Sequence, residues 1–270
     1  SQSWMLREVD NFPEYLILDS GGYRYAQNPD LTPTPTDLFE RQLEIVADTN
    51  VPTLICALDF PIMDDDLPQS EKDAAINQTI AHAYEFKSLL SECSYTINIE
   101  GIAVIQGYDL PSLRYCAHEL KAIGFHHFGL GSLAPIRYQE EIISRVETVV
   151  DVVGENLHIF GIGAIQTLRI LQKLRIRSVD TSRPAKAAMY NQVFYSDPFR
   201  YYAIAASRDR SGLSLPDNRR LQEPLECNCP ACKGDTKNHL LKLGRREYVF
   251  ARTLHNYWHL KRTIEAAEES

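Results

Sequence analysis

Long hydrophobic runs are missing from this 270-residue chain. No segment approaches the roughly 18 consecutive apolar residues that a membrane-spanning helix needs, and the first residues do not resemble a secretory signal peptide. These absences argue against a helical membrane protein and favour a cytoplasmic location over secretion. We expect no membrane partner.

Nucleotide-binding signatures are also missing. None of the 13 glycines falls into the G-x-G-x-x-G spacing of dinucleotide-binding folds, and no P-loop is present. The sequence has no internal repeat and no low-complexity tract. With 24% charged and 44% hydrophobic residues, the composition is ordinary for a globular protein. The length suits one large domain, such as a barrel of roughly 250 residues.

Charge is unevenly distributed along the chain. The 28 Lys and Arg against 36 Asp and Glu give a net charge of −8, which by itself argues against a nucleic-acid partner. Residues 1–170 hold 10 of the basic and 25 of the acidic residues, a balance of −15, which leaves 18 basic and 11 acidic residues in 171–270, a balance of +7. The C-terminal part is either a polyanion-binding surface on an acidic body or one of two solvated surfaces of unlike charge.

The six cysteines do not form a disulfide framework. Three of them are isolated: Cys56, Cys93 and Cys116. The other three form a C-x-C-x2-C run with no partner cluster: Cys227, Cys229 and Cys232. Three thiolates and one further ligand make a tetrahedral zinc site, which is structural because no coordination position stays open. The candidates for the fourth ligand are His239, His255 and His259.

Short apolar strands alternate with amphipathic helices along residues 15–180. The predicted strands cover 15–18, 53–58, 101–105, 125–130, 157–160 and 176–179. The predicted helices cover 37–48 (capped by Thr36 or Asp37), 71–90, 110–123, 138–152 and 165–174. This alternation predicts an α/β fold, which we interpret as a TIM-type (β/α)8 barrel. A doubly wound parallel sheet gives the same alternation and is the alternative fold.

The remainder of the chain has a different character. Residues 185–226 are predicted to be irregular, and a helix is predicted over 247–264. We expect a catalytic barrel over residues 1–225. A small zinc-binding segment and C-terminal helix, residues 226–270, would pack on that barrel.

Three carboxylates follow three separate predicted strands: Asp19, Asp59 and Asp180. In a barrel the carboxyl ends of the strands meet at one mouth, where active sites are built. Paired carboxylates there suit glycosidic-bond chemistry, one as nucleophile and the other as acid or base. A single Asp after a strand is more often a helix cap, but three at matching positions indicate a site. Gln106 ends another strand, where its amide suits a ligand edge or the loop backbone.

Short motifs follow one another along the chain. They are Asp-Ser-Gly-Gly-Tyr at 19–23, Leu-Asp at 58–59, Val-Ile-Gln-Gly at 104–107, Phe-Gly-Leu at 128–130 and Phe-Gly-Ile-Gly at 160–163. The last is Cys227-x-Cys229-x2-Cys232-x22-His255-Asn256. In type and order they resemble the D-S-G-G-[FY], second aspartate, V-Q-G, G-G-L, M-G-V-G and zinc motifs of the tRNA-guanine transglycosylase family.

That resemblance implies a base-exchange reaction. Asp180 would be the nucleophile that attacks C1′ of a target guanosine, and Asp19 would be the general acid and base that serves the leaving guanine and an incoming 7-deazaguanine. Tyr23 and Phe160 would sandwich the target base, which must be flipped out of its stack. The implied base-binding residues are Tyr23, Asp59, Gln106, Gly129, Phe160 and Gly161. The implied ligands of a structural Zn²⁺ are Cys227, Cys229, Cys232 and His255.

Departures from the family pattern bear on the substrate. Residues 181–184 read Thr-Ser-Arg-Pro, where the family usually has a P-T-R-type segment. Gly-Leu-Gly-Ser at 129–132 resembles the DNA-modifying branch, which inserts 7-cyano-7-deazaguanine. We therefore place DNA slightly ahead of tRNA as the polynucleotide. Since only 18 residues precede Asp19, the first two strands of the family barrel are either missing or built differently.

Three other functions remain as alternatives. The first is a transglycosylase acting on tRNA in the queuosine or archaeosine pathway. The second is a non-catalytic accessory subunit, although the retained aspartates argue against it, and the third is a carboxylate-dependent glycoside hydrolase, which the zinc motif does not support. The expected partners are the polynucleotide and a free 7-deazaguanine base, with a homodimer or accessory proteins as further candidates.

Overall fold

The computed structural model describes residues 15–47, 51–64, 66–93, 99–133, 135–204, 221, 223–233 and 239–266. These residues form two compact units. The first unit contains the described residues up to Ile162 together with Lys173–Asp180, and the second contains Gly163–Gln172 and the described residues from Thr181 onward. Across these ranges, no helix has the length and apolar character needed to cross a membrane. The expected division at residue 225 stays a prediction.

A sheet of six parallel strands is the framework of the first unit. The strands are β1 Leu16–Leu18, β2 Thr53–Cys56, β3 Ile99–Ile105, β4 His127–Leu130, β5 Leu157–Ile159 and β6 Ser178–Val179. They pair strictly in chain order, from β1 to β6. A doubly wound sheet reverses its strand order at a switch point, whereas these six strands show no reversal. The chain order is that of a TIM-type barrel, and the six predicted strands are confirmed with small shifts at their ends.

The two edge strands of this sheet approach each other. A flat six-stranded sheet would separate β1 from β6 by about 24 Å, since neighbouring strands lie about 4.8 Å apart. Instead, the Arg177 guanidinium just before β6 lies 5.4 Å from the centre of the Tyr15 ring just before β1. The sheet is therefore curled, as a barrel wall is. A buried apolar cluster on β2 and β3 lies against Ile17 of β1; it consists of Leu54, Cys56, Ile102 and Val104.

Helices follow the first four strands. They are α1 Gly22–Gln27, α2 Pro35–Val46, α3 Gln69–Glu92, α4 Leu110–Ala122 and α5 Gln139–Val153, with a short 3-10 helix at Pro29–Leu31. The prediction that Thr36 or Asp37 caps α2 was wrong. Thr34 is the N-cap, and its hydroxyl accepts a hydrogen bond from the Asp37 backbone N–H. Pro35 favours this start because its missing N–H and fixed φ suit the first helical position.

The second unit combines the two helices predicted over 165–174 and 247–264 with elements that were not predicted from the sequence. Helix α6 spans Ile165–Lys173, and all but its last residue belongs to this unit. The unit also contains α7 Arg183–Met189, β7 Gln192–Tyr195, β8 Arg200–Ala203, a 3-10 helix at Pro230–Cys232 and α8 Arg246–Glu265. Strands β7 and β8 form an antiparallel hairpin. The prediction of irregular structure was therefore wrong over 185–204, where a helix with Pro184 in its first turn and β-forming Val and aromatic residues were overlooked. Its continuation over 205–220 and at 222 lies outside the described residues.

Candidate functional site

The polar residues predicted from the sequence meet at the carboxyl ends of the strands in the first unit. Asp19 directly follows β1, Gln106 directly follows β3 and Asp180 directly follows β6, while Asp59 lies three residues beyond β2. The charge of Asp19 acts on Asp59, and the charge of Asp180 acts on Asp19. The structure thus brings together side chains that are up to 161 positions apart, and it does so because the sheet is curled and parallel.

Asp59 lies at the centre of a buried hydrogen-bond network. Its carboxylate accepts hydrogen bonds from the Ser20 hydroxyl and from the Gln106 side-chain amide. Burial, to 6% exposure, raises the pKa of Asp59 to about 6, against the lowering effect of the Ser20 hydrogen bond and with a further increase from the charge of Asp19. Asp59 therefore changes its protonation state close to neutral pH.

The orientation of Gln106 is held from both sides. Its Nε2 donates to Asp59, and its Oε1 accepts from the Ser132 hydroxyl. The Ser132 hydroxyl in turn accepts a hydrogen bond from the Ile62 backbone N–H, 3.2 Å away. Because each end of the amide has a partner of the matching type, the two ends cannot exchange without loss. Gln106 is fully buried and thus offers a fixed amide edge to the site.

Two glycines allow this network to form. A Cβ on Gly22 would lie 2.6 Å from Asp59 Oδ1, and a Cβ on Gly131 would lie 2.3 Å from Gln106 Nε2. Any side chain at either position would displace the polar group beside it. The glycines of the D-S-G-G and G-L-G-S segments therefore serve close approach to Asp59 and Gln106.

Asp180 is an exposed and ionised carboxylate. Partial desolvation would raise the pKa of Asp180, but hydrogen bonds from His158 and the Gly161 backbone N–H outweigh it and lower the pKa. The Gly161 N–H donates to Asp180 Oδ1 at 2.7 Å, and His158 Nε2 lies 3.6 Å from the same oxygen. With a side chain that is 54% exposed, Asp180 has the charge and the access that a nucleophile needs.

Asp19 has the opposite electrostatic character. Its side chain opens to solvent, yet partial desolvation raises the pKa of Asp19, and the negative charge of Asp180 adds to the increase. Backbone N–H groups of Gly21 and Ser20 and the nearby His158 act in the lowering direction. Two neighbouring carboxyl groups whose pKa values are moved apart are typical of a nucleophile paired with an acid or base.

The predicted base-contacting residues occupy different parts of this site. Phe160 follows β5 and packs edge-on against the His158 ring, with 4.5 Å between ring centres. Gly129 lies beside it in β4, where a Cβ would stand 2.4 Å from a Phe160 ring carbon. Gly161 has a φ of +75° and directs its N–H to Asp180. Tyr23 lies in α1 and is 55% exposed, so its ring is free to receive a ligand.

Four residues of the second unit form a candidate metal centre. Ligand atoms of Cys227, Cys229, Cys232 and His255 all lie within 4.8 Å of one another. His255 Nδ1 is 3.3 Å, 3.4 Å and 3.9 Å from the sulfurs of Cys229, Cys232 and Cys227. Tetrahedral zinc with bonds of about 2.3 Å to sulfur and about 2.0 Å to nitrogen places such atoms about 3.6 Å apart. The cluster therefore fits a metal ion of this type.

Groups around the cluster set the protonation of its histidines. His255 Nε2 lies 2.8 Å from the Phe194 carbonyl oxygen, so Nε2 carries the proton and Nδ1 is available to a metal. His259 Nδ1 accepts from the Ser196 backbone N–H at 2.9 Å. Its Nε2 is therefore the protonated nitrogen and donates to Cys227 Sγ, 3.1 Å away. This second histidine supports a thiolate and is not itself among the four clustered ligands.

The residue after the clustered histidine ties α8 to the hairpin. Asn256 is fully buried, its Oδ1 accepts from the Phe194 N–H at 2.8 Å, and its Nδ2 donates to the Gln192 and Pro184 carbonyl oxygens at 3.1 Å and 3.2 Å. Phe194 thus binds Asn256 through its N–H and His255 through its carbonyl. The His-Asn pair is positioned by one residue of β7.

Several residues of the site escaped the sequence prediction. They are Ser20, Ser132, His158 and Ser178. Ser20 and Ser132 stand inside segments that were identified for their neighbours, and their hydroxyl contacts cross between strands. His158 is a single polar residue in an apolar strand, where its Nδ1 lies 2.8 Å from the Ser178 hydroxyl. Only the alternation of side chains along β5 could have indicated that His158 faces Asp180.

Comparison with known proteins agrees with this arrangement. The family model described as Queuine tRNA-ribosyltransferase matches residues 7–270. The chain belongs to this family. The resemblance seen in the short motifs is therefore confirmed over nearly the whole chain, including the segments that carry both the carboxylates and the cysteine cluster.

Individual relatives are distant in sequence. A tRNA-guanine(15) transglycosylase of Methanopyrus kandleri is 24% identical over 266 residues, which cover 96% of this chain and 51% of the relative. A queuine tRNA-ribosyltransferase of Methylacidiphilum infernorum is 28% identical over 239 residues, which cover 83% of this chain and 58% of the relative. The chain thus spans about half the length of the curated relatives it matches.

Proposed function

We propose that this protein exchanges a guanine base in a polynucleotide for a 7-deazaguanine such as 7-cyano-7-deazaguanine. The observation that carries the proposal is the pairing of Asp180 with Asp19. Asp180 has a lowered pKa and Asp19 a raised one, and both stand at the carboxyl ends of barrel strands. Family membership supports the same chemistry.

In the first half of this reaction, the Asp180 carboxylate attacks C1′ of the target nucleoside and the bond from C1′ to guanine N9 breaks. The electron pair stays on the departing guanine, which takes the proton from Asp19. The product is a covalent ester between Asp180 and the sugar. A raised pKa suits Asp19 for this step, because it must begin protonated and give up its proton.

In the second half, the incoming 7-deazaguanine loses its N9 proton to the Asp19 carboxylate and attacks C1′ through N9. The ester bond breaks, which restores the Asp180 carboxylate and the protonated Asp19. Asp59 and Gln106 present carboxylate and amide edges to the guanine-like ring, and Phe160 and Tyr23 offer stacking faces. Gly129 and Gly161 contribute backbone groups beside the base, since neither has a side chain to exclude it.

We also propose that Cys227, Cys229, Cys232 and His255 bind a structural Zn²⁺. When bound, the ion would join the 3-10 helix at Pro230–Cys232 to α8. No reaction step involves it, because four protein ligands fill a tetrahedral ion. In this proposal, residues 226–270 form the metal-binding segment and residues 1–225 form the catalytic barrel.

The polynucleotide is either tRNA or DNA. Curated relatives are named for tRNA, which supports tRNA. The Gly-Leu-Gly-Ser segment at 129–132 and the Thr-Ser-Arg-Pro segment at 181–184 support DNA. A cytoplasmic enzyme could meet either, and the experiment below separates them.

Base exchange is tested by supplying radiolabelled 7-cyano-7-deazaguanine with tRNA and with double-stranded DNA in parallel. We expect label to enter one polynucleotide and an equal amount of guanine to be released. Label in tRNA alone would reverse the DNA preference. Incorporation in neither arm, with labelled guanine tested as the simpler exchange substrate, would contradict the proposed enzyme and favour the accessory-subunit alternative.

A further inference from the structure

The second unit contains a cavity that no part of the proposed reaction uses. Its volume is about 570 Å³, within the range of small-ligand sites. Three arginines and three aromatic residues line it: Arg169, Arg183, Arg200, Phe199, Tyr201 and Tyr202. Its described lining contains no Asp or Glu. A cavity with this lining attracts an anion that carries a flat ring.

The three arginines come from three different elements. Arg169 lies on α6, Arg183 begins α7 and Arg200 begins β8. Arg169 and Arg200 are exposed, so their guanidinium groups can reach a bound anion. Arg183 is partly buried and donates to the Gly163 carbonyl oxygen at 2.7 Å, which fixes its position in the wall. Guanidinium groups bind phosphate through paired hydrogen bonds.

Strand β7 supports two of the aromatic rings that form one wall of the cavity. The Phe199 ring packs edge-on against Phe194 at 5.2 Å between ring centres, and the Tyr202 ring packs edge-on against Tyr195 at 5.9 Å. Both supporting residues are buried. The wall is thus already ordered, and stacking of a base on it costs little side-chain entropy.

We propose that this arginine and aromatic cavity binds one phosphodiester and an adjacent base of the polynucleotide substrate, outside the nucleotide that reacts. The inference rests on the proposed function for the identity of that substrate. Arg183 follows Asp180 by only three residues in the chain. Five of the nine described lining residues, Arg183 and residues 199–202, belong to the basic part of the sequence, where residues 171–270 carry a balance of +7. A nucleotide stacked on aromatic rings with its phosphate on arginines is the common mode of single-strand binding.

The test measures binding without chemistry. Asp180→Asn protein is titrated with fluorescein-labelled single-stranded DNA carrying one guanine, and with RNA of the same sequence, over a range of salt concentrations. In this background, Arg169→Ala with Arg200→Ala should weaken binding about tenfold. The slope of log affinity against log salt should become shallower by about 0.7, since the cavity holds one phosphate and each phosphate contact to a single strand contributes about 0.7.

A matched control removes the same charge elsewhere. Arg41 and Arg114 are exposed arginines of the first unit, and their double alanine variant should bind within about twofold of the parent. Equal affinities and equal salt slopes for the two double variants would overturn the proposal. Circular dichroism and thermal unfolding should match in both, which separates lost binding from lost folding.

The aromatic half of the proposal has its own variant pair. Phe199→Tyr keeps a stacking face and should bind as the parent does, whereas Phe199→Leu should bind about fivefold more weakly or worse. Equal binding by the two would overturn base stacking. The arm with the larger arginine-dependent loss, DNA or RNA, identifies the polynucleotide. Arginine-dependent binding in a protein that fails to exchange bases would contradict the proposed function and leave the cavity assignment in place.

Discussion

The cluster of carboxylates in the first unit and the cysteine cluster of the second differ in how far their groups are exposed to solvent. Asp180, the proposed nucleophile, is 54% exposed, and its pKa depends on a balance between desolvation and two hydrogen bonds. Cys229 and His255 are fully buried. The Nε2 of His255 is paired with the Phe194 carbonyl oxygen, and the Nδ1 of His259 with the Ser196 backbone N–H. A site that must react keeps a charged group accessible, whereas a site that only holds chain segments together closes around its ligands.

The two sites also differ in how the chain supplies them. The carboxylates come from strands spread over positions 19–180, and the fold must place them. The cluster comes from 227–255, so local spacing already brings most of its ligands together. Variants should therefore separate activity from stability. Changes to Asp180 should remove base exchange and leave the fold intact, whereas changes to the cysteine cluster should first lower the stability of the fold.

The largest expected effect is loss of chemistry at the nucleophile. Asp180→Asn should lower the rate of base exchange by about 10⁴-fold or more, because an amide cannot form the ester intermediate. Covalent trapping of the polynucleotide, followed on a denaturing gel, should disappear. The melting temperature should stay close to the parent value because the side chain is half exposed. Asp151→Asn, at an exposed helical position, is the control, and normal trapping in Asp180→Asn would remove Asp180 from its role.

Next in size is the loss of the metal cluster. Cys229→Ser should lose bound zinc, measured by atomic emission, and should unfold at a markedly lower temperature, because metal binding of this kind is coupled to folding. Cys93→Ser changes a cysteine outside the cluster and should keep both properties. If Cys229→Ser retained one zinc per chain with an unchanged melting temperature, the four residues would not be a metal site.

A moderate effect is expected from the titration of Asp59. Its pKa is raised from 3.8 to about 6, so the folded state favours the protonated form. The resulting stabilisation is complete below about pH 4 and is lost as the pH rises through 6, by up to about 3 kcal/mol. In Asp59→Asn, the free energy of unfolding measured with urea should fall less between pH 4 and pH 7 than it does in the parent. Asp151→Asn should keep the parental pH dependence, and a parallel shift of Asp59→Asn at every pH would contradict the raised pKa.

The smallest effect should come from the residue that positions the nucleophile. His158→Phe keeps a ring beside Phe160 but removes the nitrogens that face Asp180 and Ser178. The pKa of Asp180 should rise, and the acid limb of the rate against pH should move to higher pH, with a rate loss of about tenfold or less. The Gly161 N–H still holds the carboxylate, which limits the loss.

Two further variants sharpen that result. Ser178→Ala leaves the imidazole in place and removes only its hydrogen-bond partner, so it should move the acid limb less than His158→Phe does. His158→Gln restores a donor and should recover part of the shift. A uniform fall in rate at all pH values, with no movement of the limb, would mean that His158 only packs.

Local patterns predicted much of this fold, and contacts between strands account for what they missed. The six strands and most helices followed from runs of apolar residues and their periodicity, which depend on neighbours within a few positions. The β7–β8 hairpin was missed because distant residues stabilise it. Asn256 accepts from the Phe194 N–H, 62 positions away, and the Tyr195 hydroxyl accepts from the Leu225 N–H, 30 positions away. The N-cap of α2 was placed two or three residues too late, because Thr34, Thr36 and Asp37 are all suitable cap residues.

The candidate site likewise contains residues that local patterns predicted and residues that they missed. Asp19, Asp59, Gln106 and Asp180 were predicted because each ends a strand, and the parallel sheet brings such positions together. The Ser20 and Ser132 hydroxyls were missed because their partners lie 39 and 26 positions away. No local pattern reports which oxygen such a hydroxyl reaches.

The sequence by itself predicted the order of the six parallel strands and their helices, the family resemblance and the three cysteines of the candidate metal centre, because periodicity and short spacing are properties of neighbouring residues. Only the tertiary structure decided in which direction the pKa of each carboxyl group moves. Asp19, Asp59 and Asp180 are the same residue type at equivalent strand ends, yet burial raises the pKa of Asp59, and His158 with Gly161 lowers that of Asp180. Desolvation and hydrogen bonding act through space, so a chemical role that depends on them exists only in the folded chain.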